Sequence, residues 1–99
     1  HGWRCLPDLV AVDNPNNPRD YVGRFWVDSI THDARMMEYA LELQGAHRIV
    51  MGSDYPFPLG DLEFGRYLET DIELAEADRD LMFHGSALEW LGVEAERFA

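Results

Sequence analysis

The fold of this chain is decided by one stretch, Ile49-Val50-Met51-Gly52-Ser53-Asp54-Tyr55-Pro56-Phe57-Pro58. It begins with three consecutive apolar residues, a pattern typical of parallel strands whose two faces are both covered. A glycine, a serine and an aspartate follow, and the two prolines then stiffen the chain into a turn. The stretch therefore predicts a buried strand with a carboxylate, Asp54, just beyond its C-terminal end.

A second apolar run, Phe25-Trp26-Val27, lies upstream, and the residues between the two runs predict a helix. Thr31 or Asp33 can cap the start of this helix, and Gly45 can end it. Its apolar residues form one broad arc at helical spacing, typical of a helix that lies on a sheet. The members of this arc are Met36, Met37, Tyr39, Ala40, Leu41 and Leu43. Strand, helix and strand in this order predict a βαβ unit with parallel strands.

The second half of the chain is predicted to be helical. Helices are expected from Leu62 to about Leu74 and from Asp78 to Phe83. The residues Ser86-Ala87-Leu88-Glu89 read as a capping box, in which the serine hydroxyl accepts a backbone N–H at the start of a helix that stops at Gly92. Residues 1–20 are expected to be irregular, and the turn formers from Asp13 to Pro18 predict an ordered loop.

One βαβ unit leaves two unpaired strand edges, and parallel sheets are normally larger and covered on both faces. The 99 residues, of which 46% are hydrophobic, are therefore expected to be part of a single larger α/β domain spanning 1–99 and further strands N-terminal to it. Such folds carry their functional groups at the C-terminal ends of the strands.

Charge and composition exclude several classes of function. The formal charge is −11, from 8 basic and 19 acidic side chains, which disfavours binding to nucleic acids and anionic membranes. No apolar stretch approaches the roughly 20 residues of a membrane span, and no secretion leader is recognisable. Cys5 is the only cysteine, so an intrachain disulfide is impossible and a cytoplasmic location is expected.

Two carboxylates, Asp28 and Asp54, follow the two predicted strands. A carboxylate held at a strand end suits a metal ion or general-base chemistry. The alternative is structural, because an aspartate before a turn often accepts a hydrogen bond from the backbone two residues on. None of the four histidines has a second histidine two or four residues away, so no histidine metal pair is predicted.

The segment from Met51 to Gly60, Met51-Gly52-Ser53-Asp54-Tyr55-Pro56-Phe57-Pro58-Leu59-Gly60, resembles the last-strand signature of the 2-amino-3-carboxymuconate-6-semialdehyde decarboxylase family of the amidohydrolase superfamily. The resemblance extends over nearly the whole chain. Further residues similar to that family are Pro7-Asp8-Leu9, Asn14-Pro15, Tyr21, Phe25 to Asp28, Asp33 and Gly85-Ser86-Ala87.

This resemblance implies that the chain is the C-terminal portion of a (β/α)8 TIM-type barrel, comprising the last two strands and their helices. It implies a metal-dependent decarboxylase that binds one divalent ion, normally Zn2+, with Asp54 as catalytic residue and metal ligand. Phe57 corresponds to a residue near the substrate. The implied partners are a small-molecule carboxylic acid substrate and, for the complete protein, a second copy in a homodimer.

Two departures from the family pattern leave alternatives open. The chain has no His-x-His pair, and Leu6 stands where many members carry an arginine before Pro-Asp-Leu. The 99 residues alone are therefore expected to be inactive. A related hydroxybenzoate-type decarboxylase or hydrolase of the same superfamily is one alternative, and a non-catalytic interaction module derived from the barrel is another.

Overall fold

The computed structural model describes residues 1–98 of the chain. Its strands are β1 (Val27–Asp28) and β2 (Ile49–Val50), and its helices are α1 (Gly2–Cys5), α2 (Pro7–Val10), α3 (Ala34–Gln44), α4 (Arg66–Thr70), α5 (Glu76–Asp80) and α6 (Ser86–Leu91). Short 3-10 turns span Pro18–Tyr21, Ala46–Arg48 and Ala95–Phe98, and a π-helical turn spans Leu81–Gly85.

The βαβ unit predicted from the apolar runs is confirmed. Strands β1 and β2 are parallel, with Val27 opposite Ile49 and Asp28 opposite Val50. The helix between them starts where its cap predicts, because the Asp33 carboxylate accepts the backbone N–H of Met36 at 3.0 Å. The α/β class is therefore confirmed for residues 1–98, which hold one two-stranded sheet.

The hydrophobic core lies on one face of this small sheet. Its buried members come from α3, β2, α4 and the helical segments that follow, and they are Met37, Ala46, Ile49, Leu68, Ile72 and Met82. Because side chains of a strand alternate between its two faces, Val27 and Ile49 point into this core while Asp28 and Val50 point to the opposite face. The helices thus cover one face of the sheet and leave the face of Asp28 open.

The predicted apolar arc of α3 is only partly buried. Met37 is fully buried, whereas Met36, Tyr39 and Leu43 are 56%, 55% and 44% exposed. A two-stranded sheet is too narrow to cover a helix face as broad as this arc, so one side of α3 has no covering among residues 1–98. The prediction of Met36 as a core residue is therefore wrong for this part of the chain.

The capping box predicted at Ser86 is also wrong. Helix α6 continues from the π-helical turn, and its start has no side-chain cap. The Ser86 hydroxyl is buried and donates instead to the carbonyl oxygen of Ala46 at 2.8 Å. A buried carbonyl without a donor is costly, and this requirement outweighs local capping at Ser86. The end of the helix at Gly92, which has a φ of 65°, is as predicted.

The N-terminal residues form short helical turns, α1 and α2, where an irregular segment was expected. The ordered loop predicted between Asp13 and Pro18 is confirmed. The Asn14 and Asn16 side-chain amides each donate to the Tyr21 hydroxyl at 3.0 Å. These hydrogen bonds lower the pKa of the Tyr21 phenol below its usual value, and the bond from Asn14 has the largest effect. Side-chain hydrogen bonds thus replace regular backbone pairing in this loop.

The described residues form an elongated body of 50 × 30 × 29 Å, with a radius of gyration of 16.4 Å. A compact domain of 100 residues has a radius of gyration of about 13 Å. Large apolar side chains are correspondingly exposed, among them Leu9, Val12, Leu59 and Leu62 at 70 to 84%. No helix between residues 1 and 98 is long and apolar enough to span a membrane.

The 99-residue polypeptide by itself is expected to self-associate or to be partly disordered. The physical reason is that β1 and β2 have unpaired edges and that α3 exposes an apolar stripe, both of which favour intermolecular contacts. Static light scattering over a dilution series is expected to show a mass above that of one chain. A sharply folded monomer that persists on dilution would contradict this expectation.

Candidate active site

The two parallel strands end side by side, which brings the segments after them together. A Cβ atom added at Gly52 would lie 3.0 Å from the Asp28 Cβ and 3.7 Å from its carboxyl carbon. The Asp28 side chain therefore passes directly over Gly52, two residues before Asp54. A side chain at position 52 would therefore be accommodated only if the Asp28 side chain moved by a few tenths of an ångström.

Asp54 has an unusual backbone conformation, with a φ of 54°. Aspartate tolerates this left-handed region better than most residues. The conformation is nevertheless kept only where the surrounding chain enforces it. The Asp54 side chain is exposed, and no described residue hydrogen-bonds to its carboxylate. The backbone N–H of Tyr55 donates instead to the Ser53 hydroxyl, at 3.3 Å. Asp54 therefore does not accept the backbone hydrogen bond that a purely structural role would require.

The backbone leading to Asp54 is held from two sides. On the core side, the N–H of Met51 donates to the carbonyl oxygen of Met82 in the π-helical turn at 3.1 Å. On the β1 side, the N–H of Gly52 donates to the Ser29 hydroxyl at 3.2 Å, and Ser29 is only 1% exposed. The Tyr67 hydroxyl in turn donates to the Ser29 carbonyl. These contacts fix the position from which the chain enters the Asp54 loop.

Asp28, the second candidate carboxylate, has a structural role in the turn that follows β1. One of its carboxylate oxygens accepts the N–H of Ile30 at 2.9 Å, so Asp28 starts the turn into α3. Of the two strand-end carboxylates, Asp54 is thus the one whose oxygens are not engaged by described residues. Ser29 and Met82 were not identified from the sequence, because neither lies in a recognisable motif.

A cavity of about 640 Å³ runs along the open face of the two strands. Both carboxylates line it, together with aromatic and apolar residues from the two strands, from the segment just before β1 and from α6. The full lining is Arg24, Phe25, Trp26, Val27, Asp28, Val50, Met51, Gly52, Ser53, Asp54 and Trp90. Phe57, the residue matched to a substrate contact, lies outside this lining and is 68% exposed on the loop after Asp54.

One wall of the cavity is organised around Trp26. The Arg48 guanidinium stacks on the Trp26 ring at 3.8 Å and donates to the Gly23 carbonyl at 3.2 Å. It also pairs with Glu89 at 3.4 Å, which connects the turn before β2 to α6. The Trp26 indole N–H is buried and has no acceptor among residues 1–98. The Arg48 contacts therefore hold Trp26 as an aromatic wall of the cavity.

The residues from 1 to 98 contain no group of three His, Cys, Asp or Glu side chains placed to hold a metal ion. A catalytic zinc site requires three protein ligands. Asp54 can supply one of them, because its carboxylate is exposed and not engaged. A metal at this strand end would therefore need ligands from polypeptide outside the described residues.

The architecture defines a class: a parallel α/β protein with a carboxylate presented at the C-terminal end of a strand. Comparison with known proteins shows which proteins the chain is similar to. The chain is 43% identical over 98 residues to a 2-amino-3-carboxymuconate-6-semialdehyde decarboxylase of Dictyostelium discoideum, and 37% identical over 94 residues to the protein of that name in Caenorhabditis elegans. The resemblance to this decarboxylase family is thus confirmed, consistent with a C-terminal portion of such a protein.

The matches cover 99% and 95% of this chain but only 27% and 23% of the two relatives. The chain therefore spans about a quarter of the length of the curated relatives it matches. No family model matches the chain.

Proposed function

We propose that this chain is part of a metal-dependent, non-oxidative decarboxylase that acts on 2-amino-3-carboxymuconate-6-semialdehyde or a close analogue. The observation that carries the proposal is the Asp54 carboxylate, which is not engaged by described residues and stands at the end of a parallel strand in an enforced left-handed conformation. The names of both relatives support the reaction class, a carbon–carbon lyase.

The proposed role of Asp54 is twofold. Its carboxylate would be one protein ligand of a divalent ion, most simply Zn2+, and would hold or accept a proton next to the substrate. When bound, such an ion supplies Lewis-acid chemistry to the reacting group. Within a (β/α)8 barrel the remaining ligands would come from other strand ends, which meet at the same rim.

Charge supports the need for a cation at this site. The chain carries a formal charge of −11, and the cavity that would receive the substrate is lined by two carboxylates, Asp28 and Asp54, and one guanidinium, Arg24, so its lining is net negative. A substrate that is itself a carboxylate would be repelled by this field unless a positive charge compensates it. A divalent ion beside Asp54 provides that compensation.

Phe57 and the subunit arrangement complete the proposal. The Phe57 ring lies on the loop that follows Asp54 and is 68% exposed, so it is available to cover an unsaturated substrate.

The complete protein is proposed to be a cytoplasmic homodimer. The apolar surface exposed on α3 would be covered by the remainder of the barrel, as helices of such folds normally are.

The proposal is tested with the complete protein, by measuring carbon dioxide release from the semialdehyde before and after removal of metal by a chelator. We expect release to be lost with the metal and restored by stoichiometric zinc. Unchanged release from the metal-free protein would contradict a metal-dependent mechanism. Release from a hydroxybenzoate but not from the semialdehyde would favour the related decarboxylase, and no release from either would contradict an enzymatic role.

A further inference from the structure

The loop after Asp54 turns back on itself and closes on its own backbone. The N–H of Asp61 donates to the carbonyl oxygen of Ser53 at 2.8 Å, so the two ends of the loop are adjacent. Inside the loop, the N–H of Phe57 donates to the Asp54 carbonyl at 2.8 Å, and the N–H of Gly60 donates to the Phe57 carbonyl at 2.9 Å. The loop is therefore a compact closed unit.

Gly60 is the residue on which this closure depends. A Cβ atom added at position 60 would lie 2.5 Å from the Ser53 carbonyl oxygen and 3.1 Å from the carbonyl carbon and oxygen of Asp54. All three are backbone atoms, so they cannot rotate away as the end of a side chain would. The φ of Gly60 is not in the left-handed region, and the reason for a glycine is therefore the close approach of two backbone segments.

We infer that Gly60 is a positioning residue for Asp54, an inference that rests on the proposed function of that carboxylate. The closed loop holds the backbone of Ser53 and Asp54, and the left-handed φ of Asp54 then sets where its side chain points. A methyl group at position 60 would push this backbone away from its present position. Because a displacement of about 1 Å can reduce catalysis by about 100-fold, the reaction would be sensitive to this change.

The glycines of the chain offer a matched control. A Cβ atom at Gly2 would meet only the Val10 side chain, at 3.8 Å and 4.0 Å, which is ordinary van der Waals contact. Gly2→Ala is thus the same chemical change at a position with room for it. It lies in α1, far along the chain from the Asp54 loop.

The experiment is a double-mutant cycle on the complete protein, with Gly60→Ala, Asp54→Ala, the double variant and Gly2→Ala. Metal content after purification, metal affinity by calorimetry and kcat are measured for each. We expect Gly60→Ala to lower kcat by about 100-fold and metal affinity by about 10- to 100-fold, and Gly2→Ala to leave both unchanged. The double variant is expected to match Asp54→Ala alone, because residues that act through one group are not additive.

Each other outcome is decisive. Normal metal affinity and kcat in Gly60→Ala, together with losses in Asp54→Ala, would overturn this inference and leave the proposed function intact. Additive losses in the double variant would mean that Gly60 acts elsewhere, and an unfolded Gly60→Ala protein by circular dichroism would make its role structural; both overturn the inference. Normal metal affinity and kcat in Asp54→Ala would overturn the proposed function itself.

Discussion

Replacing Asp54 by asparagine in the complete protein is expected to lower kcat by roughly 10²–10⁴-fold, the usual contribution of a positioned acid–base group. Asparagine keeps the size of the side chain and tolerates the left-handed φ of 54°, so the change is confined to the charge. Metal content should fall in parallel. Steady-state kinetics and metal analysis of the purified variant check both expectations.

Asp33→Asn is the matched control for this charge removal. Asp33 lies in the loop after the neighbouring strand, and its carboxylate caps α3. Asparagine caps a helix about as well as aspartate, so this variant should retain stability and turnover. Equal losses in the two variants would mean that turnover depends on the total negative charge at this rim and not on its position, which would contradict a specific role for Asp54.

Asp54→Gly separates function from folding. Glycine adopts the left-handed conformation without steric cost but is more flexible in the unfolded chain. These two effects oppose each other, so the free energy of unfolding of the metal-free protein should stay within about 1 kcal/mol of its original value. A variant that is stable yet inactive is the expected result.

The largest effect on stability is expected at Ile49, the fully buried residue of β2. Ile49→Ala should destabilise the complete protein by about 2–5 kcal/mol, and Ile49→Val by about 0.5–1.5 kcal/mol, because each removes buried methyl groups and leaves a cavity. Ile49 is 0% exposed within residues 1–98, so its burial does not depend on further polypeptide. Chemical denaturation of the two variants measures this graded loss.

Equal destabilisation by the two Ile49 substitutions would contradict close packing at this position. Loss of kcat in Ile49→Val without loss of stability would show instead that β2 transmits small shifts to Asp54, four residues beyond Val50.

The elements near β2 were predictable from sequence because local and tertiary requirements agree there. The Asp33 cap, the α3 helix and its end at Gly45, with a φ of 77°, follow from local chemistry alone. Ser86 shows where this agreement fails. Its spacing from Glu89 fits a capping box, but the buried Ala46 carbonyl needs a donor, and that long-range requirement is invisible in the sequence.

In the candidate site too, local features can be predicted from the sequence but long-range contacts cannot. Asp54 is a candidate in the sequence because a carboxylate follows an apolar run and precedes two prolines. The contacts that hold it were not found, because Ser29, Met82 and Gly60 reach the site only through folding. The exposure of Met36 was missed for a related reason: a helical apolar arc indicates that a face is covered, not which part of the protein covers it.

The proposed function requires that Asp54 binds a metal ion at the rim formed by the strand ends. A crystal structure of the complete protein, with anomalous scattering measured at the zinc edge, tests it most directly. We expect an anomalous peak about 2.0–2.2 Å from an Asp54 carboxylate oxygen, the usual zinc–oxygen distance. A metal ion bound entirely by other residues, with the Asp54 carboxylate turned away from it, would contradict this role of Asp54.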